Sequence, residues 1–94
     1  MSQTSFAPDT SALFRAELGK RLRCARTALG KTQGDLAKDF GIARQTLAAY
    51  EKGHCEPPCS LLKRLCEDFG FDPGWLLLGD PSRPMFAHPC AKVV

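Results

Sequence analysis

The feature that most constrains the fold is a set of small and apolar residues at fixed spacing in the middle of the chain. Ala37 is followed by Gly41, and Leu47 and Tyr50 come after a short gap. An alanine lets two helices cross closely, and a glycine adopts the positive φ that a tight turn between them needs. Leu47 and Tyr50 anchor one face of the second helix, so its other face points outward. The spacing predicts two short helices joined by a sharp turn.

Apolar periodicity and stop signals predict three more helices around this pair. Apolar residues recur at helical spacing from Leu18 to Leu29, and Gly30 closes the first helix. Thr32 begins the second helix, with Asp35 as its capping-box partner. The remaining helices are predicted at residues 44–52, 59–69 and 74–78, with two prolines in the loop before residue 59.

These helices lie between two segments of different composition. Residues 1–10 are polar and are expected to form a flexible N-terminal arm, with Asp9, Thr10 and Ser11 as candidate caps of the first helix. Residues 80–94 contain three prolines and little periodicity, which is typical of a C-terminal tail. The domain between them, residues 11–79, is predicted to be a compact all-α fold of five short helices.

Charge is distributed unevenly along the chain. The net charge is only +3, but residues 20–52 contain eight Lys or Arg against three acids, an excess of five positive charges. From residue 54 to the end there are four bases and five acids. A basic front half on a near-neutral scaffold fits a polyanion-binding face, although a scattered solvated surface would give the same excess.

Several linked motifs in residues 18–79 resemble a known family. They are Leu18-Gly19-Lys20-Arg21-Leu22-Arg23, Thr32-Gln33-x2-Leu36-Ala37, Tyr50-Glu51-x-Gly53, Glu56-Pro57 and Trp75-Leu76-Leu77-x-Gly79. In this order and spacing they resemble the Cro/cI-type (XRE) helix-turn-helix family, whose members include phage repressors. The resemblance implies a five-helix, lambda-repressor-like DNA-binding domain. Its recognition helix, Arg44–Lys52, is expected to enter the major groove of double-stranded DNA.

The resemblance assigns DNA contacts to two groups of residues. Contacts with bases are implied for Arg44, Gln45, Thr46, Ala48 and Ala49. Contacts with phosphates are implied for Gln33 and Arg26, and they are also expected for Thr32, Lys31, Arg23, Lys38 and Lys52. Arginine matches guanine and glutamine matches adenine, whereas an alanine can touch only a thymine methyl group.

Arg26 and Glu51 form a second implied feature. In the family such a pair joins the first and third helices, with the arginine also near a DNA phosphate. The alternative is two unrelated surface charges. If the pair is buried, removal of one partner should cost on the order of 3–5 kcal/mol.

The sequence also departs from the family in three places. Gly34 lies inside the second helix, where it costs about 1 kcal/mol relative to alanine. Ala43 replaces the usual Ser or Thr, so the recognition helix is expected to lack a side-chain cap. The loop at residues 54–58 contains no Lys or Arg for a phosphate contact.

The five cysteines suggest three roles. His54, Cys55, Cys59 and Cys66 invite a zinc site, but their spacing lacks the two close pairs of a strong zinc signature. We interpret Cys59 and Cys66 as small apolar residues of the core, and Cys55 and Cys90 as exposed. A redox switch through the exposed thiols is the third role, although no sequence feature activates them. No metal or cofactor is expected.

The sequence-based prediction is a sequence-specific transcriptional regulator, and a repressor in particular. We expect a homodimer in the cytoplasm, with no membrane partner, no enzymatic activity and no small-molecule sensor domain. Trp75–Leu78 would provide apolar surface for the dimer, unless these residues pack only in the core. The alternative is a protein-interaction module with the same fold, such as an antitoxin or anti-repressor. The alanines of the recognition helix and the mild net charge favour that alternative.

Overall fold

Five helices make up the described part of the chain. The computed structural model describes residues 8–87, with side chains from residue 11 onwards. The helices are α1 (Pro8–Ala28), α2 (Gln33–Phe40), α3 (Arg44–Lys52), α4 (Cys59–Phe69) and α5 (Gly74–Leu78), of which α5 is a single π-helical turn. Residues 8–87 contain no strand, only an isolated antiparallel bridge between Phe71 and Phe86. The predicted all-α class is confirmed. The first helix, however, begins at Pro8, so residues 8–10 are helical rather than part of an arm.

The core forms where all five helices turn apolar side chains inward. Its largest fully buried apolar side chains are Leu18, Leu22, Leu36, Leu47, Leu65, Phe71 and Leu76. They come from every helix and from the α4–α5 connection, so each short helix is held mainly by packing against the others. None of the described helices is both long and apolar enough to cross a membrane.

Both ends of α2 have the chemistry predicted from the sequence. The hydroxyl of Thr32 accepts from the backbone N–H of Asp35, and the carboxylate of Asp35 accepts in return from the Thr32 N–H, each at 3.1 Å. This bond from the Thr32 backbone is the main reason that the pKa of Asp35 lies below its ordinary value. At the other end Gly41 has φ 69°, and the N–H of Ile42 donates to the carbonyl of Ala37. Both ends of α2 are therefore fixed.

A glycine brings α1 and α3 into direct backbone contact. A Cβ on Gly19 would lie 2.6 Å from the carbonyl oxygens of both Tyr50 and Glu51, so no larger residue fits there. At the end of α3, Nε of Arg15 donates to the carbonyl of Gly53 at 3.3 Å. Helix α3 is thus held against α1 along one side, and residues 11–87 leave its other side exposed.

Residues 80–87, which we expected to be part of a tail, instead pack against the core, and we call them the C-terminal strap. The rings of Phe86 and Phe71 stack with their centroids 4.6 Å apart. The N–H of Asp72 donates to the carbonyl of Met85, and that of Ala87 donates to the carbonyl of Gly70, each at 2.8 Å. The tail prediction was therefore wrong for this part, because isolated apolar residues in a strap have no periodicity. Residues 1–7 and 88–94, including Cys90, lie outside the described residues.

One cysteine assignment also needs correction. Cys59 is exposed, because α4 turns Leu61, Leu62 and Leu65 inward instead. Cys66 is half-buried, and burial raises the pKa of its thiol. Cys55 is exposed as predicted. In residues 11–87 no three His, Cys, Asp or Glu side chains come together in a way that could hold a metal ion.

Candidate nucleic-acid interface

The outer face of α3 begins with two exposed polar residues. Arg44 and Gln45 are both exposed in the first turn, whereas Leu47 of the same helix is completely buried. Ala43 precedes them and makes no side-chain cap, as predicted. No side chain of residues 11–87 therefore caps the N–H groups of Arg44 and Gln45, which are left for solvent or a ligand.

A shallow hollow of about 330 Å³ runs along this face. We call it the α3 hollow, and its lining residues are Gln33, Arg44, Gln45, Ala48, Ala49, Lys52 and His54. Two of them are cationic and none is acidic. The hollow brings together residues that the sequence assigned to bases and residues that it assigned to phosphates. Its charge suits an anionic ligand.

The remaining residue assigned to bases, Thr46, does not line the α3 hollow. Thr46 is half-buried, and its N–H donates to the carbonyl of Ala43 at 3.0 Å. Ala48 and Ala49 are also half-buried, so only part of each methyl group is accessible. The fully exposed hydrogen-bonding side chains of the first turn are those of Arg44 and Gln45.

The expected ion pair between Arg26 and Glu51 is present beneath the hollow. Nε of Arg26 lies 2.7 Å from Oε2 of Glu51, and Nη2 lies 3.2 Å from Oε1. The two side chains are only 14% and 3% exposed, respectively. The third guanidinium nitrogen donates to the carbonyl of Lys31 at 2.8 Å, so Arg26 also holds the α1–α2 connection. Removal of either partner would leave the other charge buried and unpaired, which would destabilise the fold.

Gln33 connects this buried pair to the recognition helix. Its Nε2 donates to Oε1 of Glu51 at 3.1 Å, and its Oε1 accepts from Nη1 of Arg44 at a longer 3.4 Å. A continuous chain of hydrogen bonds therefore runs from Arg26 to Arg44. The sequence predicted a role for each of these residues, but it did not predict the hydrogen bonds that join them.

The residues assigned to phosphates fall into two groups. Lys38 and Lys52 are exposed and form no ion pair with any residue between 11 and 87, and Lys52 lines the α3 hollow. The residues of the second group already make contacts within the protein or lie away from the hollow. Lys31 lies 3.0 Å from Asp39 and over the ring of Phe69.

Two more residues of the second group lie elsewhere or serve the fold. Thr32 caps α2. Arg23 is exposed and lines a depression beside Lys20 and Met85, not the α3 hollow. Lys52 is therefore the cation of this set that lies directly on the candidate interface.

His54 is a candidate contact that the sequence reasoning missed. Gly53 ends α3 with φ 81°, and the N–H of His54 donates back to the carbonyl of Ala49 at 2.9 Å. This closing turn places His54 on the rim of the hollow. The glycine directly before it was the available signal, because a left-handed helix end turns the next residue back alongside the helix.

The arrangement of α2 and α3 defines a helix-turn-helix protein. The two helices meet at a glycine turn, and the second presents polar residues at its exposed beginning. Residues 19–80 match the helix-turn-helix domain family, and the chain belongs to that family. The resemblance to XRE-type regulators predicted from the sequence is confirmed.

Several curated relatives have names consistent with this family. The chain is 37% identical over 54 residues to a protein of Pyrobaculum aerophilum named as an HTH-type transcriptional regulatory protein, which covers 57% of this chain and 22% of the relative. It is 33% identical over 66 residues to the HTH-type transcriptional regulator DicA of Escherichia coli, covering 70% of this chain and 49% of DicA. An uncharacterized HTH-type transcriptional regulator of Methanocaldococcus jannaschii is 40% identical over 50 residues, covering 53% of this chain and 76% of the relative. The chain thus spans half or less of the length of the first two relatives.

Proposed function

We propose that the protein is a sequence-specific DNA-binding transcriptional regulator that reads the major groove with α3. The observation that supports this most directly is the exposure of Arg44 and Gln45 at the uncapped beginning of a helix whose other face is buried. A helix fits the major groove of B-DNA, and its first residues reach the base edges. The relatives named as transcriptional regulators support the same function.

Sequence is read by the first turn of α3. Arg44 suits guanine, because its guanidinium can donate two bonds to the O6 and N7 acceptors of that base. Gln45 suits adenine, with which an amide can exchange one bond in each direction. Thr46, Ala48 and Ala49 add contacts with thymine methyl groups.

Affinity comes mainly from contacts between the protein and the DNA phosphates. Lys52 and Gln33 line the hollow, whereas Lys38 is exposed elsewhere on α2 and forms no ion pair with any residue between 11 and 87. Lys31, Arg23, Arg26 and Thr32 are secondary contacts in this proposal, because each is occupied in the fold or lies away from the hollow.

The regulator acts as a homodimer and represses transcription by occupying its site. One helix-turn-helix makes too few contacts for tight specific binding, and two half-sites double them. Apolar surface for pairing is available near α5, where Leu77 and Leu78 are 40% and 74% exposed and line a depression together with Leu13. The cytoplasm is the compartment in which such a regulator meets DNA.

The experiment that tests this function is a selection of bound duplexes from a random DNA pool, followed by salt titration of the selected site. A specific regulator enriches a symmetric sequence and loses affinity steeply as salt rises. Enrichment of no sequence and a flat salt response would instead favour a protein-interaction module such as an antitoxin. The few hydrogen-bonding groups on α3 are the observation that keeps this second function in view.

A further inference from the structure

We propose that the buried carboxylate of Glu51 sets the base preference of Arg44, acting through the amide of Gln33. Glu51 would then be a positioning residue for DNA reading, although its side chain is only 3% exposed and lies beneath the α3 hollow. The proposal rests on the proposed function, since Arg44 must read a base pair for such a preference to exist.

The first step is the polarity of the buried carboxylate. Oε2 of Glu51 accepts from Nε of Arg26, and Oε1 accepts both from Nη2 of Arg26 and from Nε2 of Gln33. A carboxylate paired with a guanidinium offers acceptors only. The third bond must therefore come from a donor.

The second step is the direction of the Gln33 amide. An amide has one donating end and one accepting end, so the inverted orientation would set its oxygen against an oxygen of Glu51. The buried charge pair therefore fixes Nε2 inward. As a result, Oε1 faces outward to the recognition helix, 3.4 Å from Nη1 of Arg44.

The third step is the effect on Arg44. An outward acceptor favours a donor at the first position of α3, and its bond with Nη1 restrains the long arginine side chain, which lines the hollow. A side chain ordered before binding loses less freedom when it meets its target, and it meets one geometry better than others. The polarity of a buried group thus decides which way a surface arginine is presented to a base.

Two variants test this relay. Glu51→Gln can both donate and accept, so it lets the Gln33 amide invert and releases Arg44. Since this change also alters the pair with Arg26, Gln33→Met is the second variant, which has no amide but leaves that pair intact. The matched control is Arg15→Gln, because Arg15 bonds the carbonyl of Gly53 at the far end of α3.

The readout is a ratio of two affinities: the affinity for the selected site, and the affinity for the same site in which the base pair that Arg44 contacts is exchanged for another. Arg44→Ala should lower this ratio by about 10-fold or more, as expected for loss of a bidentate base contact. Both relay variants should lower it by about 3- to 10-fold, and Arg15→Gln by less than about 2-fold. In the Arg44→Ala background the relay variants should change the ratio no further.

A second readout needs no DNA. The Nε–H resonance of Arg44 in the free protein should shift in both relay variants and stay in place in Arg15→Gln. If both relay variants keep the wild-type ratio while Arg44→Ala loses it, the inference is overturned and the proposed function stands. Uniform weakening on all sequences, with an unchanged ratio, also overturns it and leaves Gln33 as a phosphate contact. An unchanged ratio in Arg44→Ala itself overturns base reading, and the relay with it.

Discussion

Two carboxylates each pair with an arginine, and the two ion pairs have different roles. Glu51 pairs with Arg26 where α1 meets α3, and Gln33 extends that pair to the surface that we assign to DNA. Asp72 pairs with Arg83 at 2.7 Å and also accepts from the N–H of Trp75, which fastens the C-terminal strap and caps α5. One ion pair lies beneath the candidate interface, and the other holds the C-terminal strap.

The difference lies in the exposure of the arginine. Arg26 is 14% exposed, so loss of Glu51 would leave its charge buried without a partner. Arg83 is 54% exposed, so water can solvate it when Asp72 is lost. Similar carboxylate–guanidinium pairs should therefore differ in their effect on stability, and only the first should affect DNA reading.

The largest expected effect is on the first pair. Glu51→Ala should lower the free energy of unfolding by about 3–5 kcal/mol, because it leaves Arg26 buried and unpaired. Urea denaturation measures the loss. The double variant with Arg26→Ala should be less destabilised than the sum of the two single variants. Additive losses would show that the two charges are not coupled.

The next effect is on DNA binding. Arg44→Ala should cost about 1–3 kcal/mol and relax the preference at one base pair, since a base contact is lost. Lys52→Ala is the matched contrast, because it should weaken binding to all sequences alike and reduce the salt dependence. Fluorescence anisotropy with the selected and the exchanged duplex measures both. A uniform loss for Arg44→Ala would remove its role in reading bases.

A smaller effect is expected for the second pair. Asp72→Asn should destabilise the protein less than Glu51→Ala does, and it should leave the ratio of affinities for selected and exchanged DNA unchanged. Denaturation and binding of the same variant measure the two quantities. A change in that ratio would mean that the strap and the interface are coupled after all.

The smallest effect is a pH dependence of stability. The pKa of Asp72 lies below its ordinary value of 3.8, mainly because Arg83 donates hydrogen bonds to its carboxylate. A lowered folded pKa contributes stability that is present above the ordinary value and is lost as pH falls through the folded value. Below about pH 4, the wild type should therefore lose stability more steeply than Arg83→Ala. Parallel curves for the two proteins would contradict this assignment.

The sequence predicted the interface side of the molecule better than the strap side. Gly41, the Thr32–Asp35 capping box and the uncapped beginning at Ala43 follow from local chemistry, and each is present as predicted. Arg26 and Glu51 are 25 residues apart in the chain, and only the family resemblance predicted their contact. The link through Gln33 depends on side-chain distances that no sequence spacing encodes.

The strap was missed for a different reason. Arg83 and Phe86 find their partners across the fold, at Asp72 and Phe71, and a lone aromatic among prolines resembles a tail. The exposure of Cys59 was missed because Cys59 was assigned to the core in place of Leu61, which is buried. On a short helix, small errors in phase exchange one edge residue for another.

The most direct test of the whole account is to follow backbone amide resonances as the selected DNA duplex is added. If α3 reads DNA, the shifts should concentrate at residue 33 and along residues 44–54, while the strap at residues 80–87 stays unchanged. Shifts confined to the strap or to α5, with residues 44–52 unaffected, would contradict the account.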